Sequence, residues 1–333
     1  MEFGNKGYHL MVGDCMESLR SLPDKSVNCC VTSPPYYGLR DYGVDGQIGL
    51  EQSPEEYIQK TVEVFREVRR VLRDDGTLWV NIGDTYASAG RKTRDADDKL
   101  PQRGMGVRPA DPEGVKRKDL LGIPWMLAFA LRADGWYLRQ DIIWNKPNPM
   151  PESVRDRCTK SHEYVFLLSK SPKYFYDHDA IREPHTGEAA KAVELWFKEV
   201  GQRGVNDSAR RGLVEGQSTQ FSKKGHSGYF GADGKCPLNP LGKNRRSVWN
   251  VATRSFKGAH FATFPPELIE PCILAGCPVG GVVLDPFGGS GTTAGVAVAH
   301  GRRAVLCELN SEYAKLVPDR VASIVAKYGS ANR

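Results

Sequence analysis

The 333-residue chain is long enough to bury a sizeable core, as one large domain or as a domain carrying an insertion. Hydrophobic residues at 40% and charged residues at 26% are ordinary values for a globular protein and exclude a membrane-embedded or disordered chain. The formal charge of +6 is compatible with a polyanionic partner without demonstrating one.

Tyr8 to Val12 is predicted as a strand, Cys15 to Leu22 as a helix, and Val27 to Thr32 as a buried strand running into Ser33-Pro34-Pro35-Tyr36, where the prolines stop it. Apolar residues at Tyr57, Ile58, Val62, Phe65, Val68 and Leu72 have helical spacing over Pro54 to Leu72. That helix ends at Asp74-Asp75-Gly76, and the strand Thr77 to Ile82 follows. Residues 84–118, polar and rich in Gly, Pro and charges of both signs, are expected to form a mobile loop. A helix over Leu120 to Ala133 and strands over Tyr137 to Asn145 and His162 to Ser169 complete a second α/β unit. From Lys170 to Gly242 the periodicity gives way to Gly, Ser, Lys and Asn with scattered aromatics, the character of an insert facing a nucleic acid. Helix, strand, helix, strand and a terminal helix return at Pro265 to Ala275, Val282 to Asp285, Gly291 to His300, Ala304 to Glu308 and Ser311 to Lys327. This alternation predicts an α/β fold with a mainly parallel sheet covered by helices on both faces.

The basic side chains concentrate in the insert. Between residues 201 and 260 eleven of them, including Arg210, Arg211, Lys223, Lys224, Lys243, Arg245 and Arg246, face three acidic ones, a surplus larger than that of the whole chain. Phe221, Tyr229, Phe230 and Trp249 interleave with them, as stacking and phosphate contact require. The eight cysteines form no two CxxC pairs at zinc-site spacing, and no metal is expected. The N-terminus lacks an apolar signal core, and Ile123 to Leu131 is too short to span a bilayer. A cytoplasmic location without a membrane partner is therefore expected.

Two motifs carry chemistry. In VVLDPFGGSGTTAGVAVAHGRRAVLCELN a strand ends at Asp285, a glycine turn follows, a helix begins near Thr292, and a second strand ends at Glu308. Gly288, Gly289 and Gly291 allow a sharp turn and close approach to a ligand, and Glu308 has the position of an acid that binds ribose hydroxyls. The turn is not GxGxxG, and Asp285 would repel a pyrophosphate. A ligand with an ammonium group and a ribose but no phosphate suits it, and S-adenosylmethionine has that character.

The second motif is Thr32-Ser33-Pro34-Pro35-Tyr36-Tyr37, at the C-terminal end of a buried strand. Its prolines remove amide donors and leave acceptors, the Ser33 hydroxyl and the Pro34 carbonyl, with Tyr36 as a flat face. An exocyclic amine on a base is a poor nucleophile because its lone pair is delocalised into the ring. Two acceptors holding its hydrogens favour the transition state, and a stacked aromatic holds the ring. The target atom is out of reach inside a duplex, so the base must be extruded.

Taken alone, Ser-Pro-Pro-Tyr is equally a strand-ending turn and the glycines a packing turn; together they resemble the DNA amino-methyltransferases, whose catalytic tetrapeptide is Asp, Asn or Ser, then Pro-Pro and an aromatic. TSPPYYGLRDYG is similar to the N4-cytosine branch, and the motif order is similar to the circularly permuted β group. The resemblance covers nearly the whole chain and implies a Rossmann-like S-adenosylmethionine-dependent fold. Residues 1–170 would be its catalytic part, 171–245 an inserted target-recognition region, and 246–333 its cofactor-binding part. It implies catalytic roles for Ser33, Pro34, Pro35 and Tyr36. Cofactor contacts would come from Asp14, from His260, Phe261 and Thr263, from Asp285 with Phe287, Gly288, Gly289, Ser290, Gly291 and Thr292, and from Glu308. Trp144 to Pro147 would lie near the target base. Double-stranded DNA is the implied partner, with a cognate restriction endonuclease and a second copy of the chain as further candidates. N6-adenine stays open as the target.

Three rivals differ in class. A C5-cytosine enzyme needs a nucleophilic cysteine, and Pro271-Cys272 offers one, but Cys272 falls within a predicted helix as a buried small hydrophobe. A non-catalytic nucleic-acid-binding protein would use the basic cluster alone. RNA or protein glutamine would suit the same acceptor logic.

Overall fold

The computed structural model describes residues 3, 6–39, 43–87, 115–202, 238–254 and 264–329. They fall into two compact units, one comprising Met1–Asp177 with Ser247–Arg333 and the other His178–Arg246.

The first unit is built on an eight-stranded sheet in the order β1-β8-β7-β2-β3-β5-β4-β6. The strands are β1 (Tyr8–Val12), β2 (Val27–Thr32), β3 (Leu72–Ile82), β4 (Tyr137–Asn145), β5 (His162–Ser169), β6 (Val248–Asn250), β7 (Val282–Asp285) and β8 (Arg303–Glu308). Only β5 runs antiparallel to its neighbours, so the mainly parallel α/β sheet is confirmed. The central strands β2, β7 and β8 are buried along nearly their whole length, as strands covered on both faces are; α1 (Cys15–Ser21), α2 (Pro54–Val71), α3 (Ile123–Ala133), α5 (Pro266–Gly276), α6 (Thr292–Ala299), α7 (Ser311–Ala314) and α8 (Val317–Tyr328) belong to this unit, and α4 (Glu188–Gln202) to the other.

Local chemistry sets the helix starts. Ser53 accepts from the Glu56 amide and Pro54 takes the first turn of α2. Asp14 accepts from the amides of Met16 and Glu17 and caps α1. The carboxylate of Asp84 caps α3 from outside its sequence, accepting from Gly122 (3.0 Å) and Ile123 (3.1 Å).

Three expectations need correction. β3 begins at Leu72, not Thr77: Arg73 to Gly76 are taken up where the register against β2 shifts, between Val27↔Leu72 and Cys29↔Thr77. The terminal helix is two helices, because Pro318 has no N–H to continue α7 and is tolerated only in the first turn of α8. The predicted insert holds the 15-residue α4, whose periodicity is obscured in the sequence by the surrounding Gly, Ser and Lys. The predicted loop 84–118 has hydrogen-bonded ends, with Ala87 donating to Asp119 and Leu121 to Thr85; residues 88–114 lie outside the described residues. Cys272 is buried in α5, as expected of a small hydrophobe. Among the described residues no helix is long and apolar enough to cross a membrane.

Candidate active site

β7 and β2 are neighbours in the sheet, yet the chain leaves β7 towards β8 on one side and β2 towards β3 on the other. Such a switch point opens a crevice at the carboxyl ends of the strands, where α/β sheets bind ligands. The two predicted motifs are the loops that follow these two strands. Both line one cavity of about 790 Å³, a size suited to a small-molecule site.

Asp285, at the end of β7, joins the loops. Its Oδ1 accepts from the Thr32 hydroxyl at 2.6 Å and the Phe287 amide at 3.1 Å, and its Oδ2 from the Thr293 hydroxyl at 2.7 Å. The side chain is buried and its pKa is raised, burial outweighing the three donors. The carboxylate expected to face a ligand is thus also the tie between the two motifs.

The glycine loop folds back on β8. Glu308 accepts from the Gly289 amide at 2.7 Å through one oxygen and from the Asn310 amide at 2.8 Å through the other, while burial raises its pKa. A Cβ on Gly288 would lie 3.0 Å from the Leu306 Cβ, so the loop lies against β8 only because that position is glycine. Gly289 has φ +51. Gly291 has φ +91, and a Cβ there would stand only 2.9 Å from Val317. Asp14, Asp285, Phe287, Gly288, Gly289, Ser290, Thr292 and Glu308 all line the cavity, whereas Gly291 stands back from it and serves packing.

On the catalytic side Ser33, Pro34, Pro35 and Tyr36 all line the cavity. The Pro35 carbonyl is held by the Tyr57 hydroxyl at 2.9 Å, and among the described residues no donor reaches the Pro34 carbonyl. Tyr36 is tethered. Its hydroxyl donates to Glu163 Oε2 at 2.7 Å, and burial beside this carboxylate pushes its pKa well up. Asn81 Nδ2 donates to the same oxygen at 3.2 Å, and Lys146 pairs with Oε1. The ring packs onto Gly83, where a Cβ would stand 2.8 Å from Tyr36 Cε2.

A model of the family described as DNA methylase, the N6/N4 methyltransferases, matches residues 27–319. The chain belongs to this family. The DNA methylase is 50% identical over 315 residues to the Type II methyltransferase M.Cfr9I of Citrobacter freundii, an alignment covering 95% of this chain and 88% of the relative. To the Type II methyltransferase M.SmaI of Serratia marcescens it is 47% identical, over 96% of this chain and 93% of the relative. Among solved structures, TTHA0409 of Thermus thermophilus in complex with S-adenosyl-L-methionine superposes with a TM-score of 0.56 at 25% identity, covering 96% of this chain and 94% of that one. The PvuII DNA methyltransferase (cytosine-N4-specific) shares the fold, with a TM-score of 0.58 at 17% identity and coverage of 99% and 97%. The chain is therefore a Type II DNA methyltransferase of the S-adenosylmethionine-dependent N4/N6 family.

The methylase's glycine loop fits that cofactor. The Ser290 hydroxyl is buried, lines the cavity and has no partner among the described residues, an orphan that a bound ligand would satisfy. Trp144 and Lys146, expected near the target base, line the cavity, and Asn81, Gly83, Lys160 and Glu163 are cavity residues that sequence reasoning missed. A signal existed: Asn81 interrupts the apolar run LWVNI, and Glu163 opens the apolar strand HEYVFLL. Of the expected ligand contacts, His260, Phe261 and Thr263 lie outside the described residues, as do Arg210, Arg211, Lys223 and Lys224 of the basic cluster. Lys243, Arg245 and Arg246 belong to the His178–Arg246 unit, where Arg246 and Lys243 pair with Glu183 at 3.0 and 3.8 Å.

Proposed function

We propose that the enzyme methylates the exocyclic N4 amine of cytosine in double-stranded DNA, acting on a base extruded from the duplex. The observation that carries this is the junction at the switch point, where two unblocked acceptors, Ser33 and the Pro34 carbonyl, share one cavity with the glycine loop. When bound, S-adenosylmethionine supplies the methyl group as an electrophile. Ser33 Oγ and the Pro34 carbonyl accept the two amine hydrogens and share the charge that develops on nitrogen as its lone pair is drawn out of the ring. Tyr36 offers a ring face held by Glu163, Asn81 and Gly83, so the base stacks on a surface that need not reorganise. Asp14, Ser290 and Glu308 would hold the cofactor against the backbone of the glycine loop. Ser33 in place of a carboxylate supports cytosine, by likeness to the serine branch of the family.

The unit His178–Arg246 is assigned to target recognition, its basic residues to phosphate contact, and a companion restriction endonuclease is the partner that fits the Type II relatives. The test is incubation with unmethylated DNA and labelled S-adenosylmethionine, then nucleoside digestion and mass spectrometry. N4-methylcytosine is expected; N6-methyladenine would overturn the target while keeping the mechanism, and cofactor binding with no labelled base would move the search to RNA or protein.

A further inference from the structure

Two ammonium groups face the cavity near the ends of β3, β4 and β5: Lys146 and Lys160. Lys146 is committed, since it pairs with Glu163 and lies 4.3 Å from the centroid of the Trp144 ring. Lys160 is half-buried, its backbone amide donates to Glu152 at 3.1 Å, and its ammonium donates only to the Asp84 carbonyl, with no ion pair among the described residues. The Lys146 ammonium opposes its charge, and three carboxylates act in its favour, Asp84, Glu163 and Glu152. Each is already engaged: Asp84 by the amides of Thr85, Gly122 and Ile123, Glu152 by Arg157 at 2.6 Å, and Glu163 by Tyr36, Asn81 and Lys146. An ammonium withdrawn from water with donors to spare costs free energy unless a ligand brings an acceptor to it. Burial accordingly lowers its pKa.

We propose that Lys160 donates to the O2 carbonyl of the target cytosine and thereby selects cytosine over adenine. This rests on the N4-cytosine reading and extends it to the residue that enforces it. Along one edge cytosine carries its amine, the N3 acceptor and the O2 acceptor; adenine carries its amine, the N1 acceptor and then only C2–H. With the amine on Ser33 and Pro34 and the ring on Tyr36, the far end of that edge is what distinguishes the two bases. The Lys160 ammonium is held at the Asp84 carbonyl, next in sequence to the Gly83 that packs against the Tyr36 ring, which places the spare donors in the neighbourhood of the stacked ring. A desolvated site built to donate to a carbonyl discriminates strongly against a base that lacks one, because its donor is then left unpaired.

The test compares kcat/KM of the wild type and Lys160→Met on duplexes bearing either cytosine or a 2-aminopyridine C-nucleoside at the methylated position. The analogue keeps the amine and ring nitrogen and lacks O2. Lys160→Met is expected to lose on the order of 10- to 100-fold on cytosine, with no further loss on the analogue beyond that of the wild type. Lys160→Gln, which still donates, should recover part of the loss, and S-adenosylmethionine affinity by calorimetry should be unchanged in both. Losses that multiply, or full activity of Lys160→Met on cytosine, overturn the assignment. So does a defect that disappears when the phosphate beside the target is replaced by methylphosphonate, since the ammonium would then serve the backbone. If the product is N6-methyladenine, the cytosine reading itself has failed; N4-methylcytosine with multiplying losses sinks the Lys160 assignment alone.

Discussion

Ser33 and Glu308 sit in one cavity, and the proposed function assigns them to different molecules, so their variants should part accordingly. Ser33→Ala removes an acceptor that matters most as charge develops on the amine. It should lower kcat by about 10²- to 10³-fold, the scale of one preorganised polar group, with S-adenosylmethionine affinity nearly unchanged. Glu308→Ala should do the reverse, because its carboxylate also orders the loop through the Gly289 and Asn310 amides. Calorimetry beside steady-state kinetics checks both; equal loss of both parameters in each variant would count against these roles. Tyr36 yields a second contrast. Tyr36→Phe keeps the ring and loses its tether, costing roughly 3- to 10-fold in kcat, the worth of one hydrogen bond. Gly83→Ala puts a Cβ 2.8 Å from Tyr36 Cε2 and should cost more than Tyr36→Phe, because it displaces the ring itself. A Gly83→Ala enzyme as active as the wild type would refute the packing account.

The glycine turn and the helix behind it divide the labour between ligand and core. Gly288 and Gly289 bring the backbone to the cavity, whereas Gly291 and Gly295 let α6 approach α8, with Cβ positions only 2.9 Å from Val317 and 2.7 Å from Ile324. Gly291→Ala meets both a positive φ and that contact, and should cost about 1–3 kcal/mol, read as a lower urea midpoint in the absence of cofactor. Elements of this kind were legible in the sequence because their signals are local: a strand's apolar run, a glycine turn, a capped helix start. The start of β3 was not, since Asp74-Asp75-Gly76 reads as a turn and only pairing with β2 shows it absorbed in the strand. The cap of α3 was not either, because Asp84 lies 38 positions before Gly122.

Across the whole first unit, the decisive contact joins residues 253 positions apart, the Thr32 hydroxyl and Asp285. Thr32→Val removes one of three donors to a buried carboxylate and should destabilise the enzyme by about 1–3 kcal/mol at neutral pH while raising KM for S-adenosylmethionine. The loss should grow with pH. Asp285 already has a folded-state pKa above its unfolded value, so its contribution to stability is full below the unfolded pKa and lost as pH rises through the folded one. Losing a donor raises the folded pKa further and widens that window. Urea denaturation of both proteins from acid to neutral pH checks this, and a difference independent of pH would contradict it.

By itself the sequence determined the alternation of strands and helices, the two motifs, and the residue types each brings, because apolar period, turn chemistry and functional-group chemistry are properties of short stretches. The chemistry of amine methylation and the family were legible from Thr32 to Tyr36 and from Asp285 to Glu308. Only the tertiary structure decided that these stretches are neighbours at a switch point, that Asp285 ties them together, and that Glu163 holds Tyr36 from another strand. It alone shows Lys160 half-buried without a direct ion pair among the described residues. Sheet order and the pairing of buried charges arise from contacts between segments far apart in the chain, and no local pattern encodes which distant segments those are.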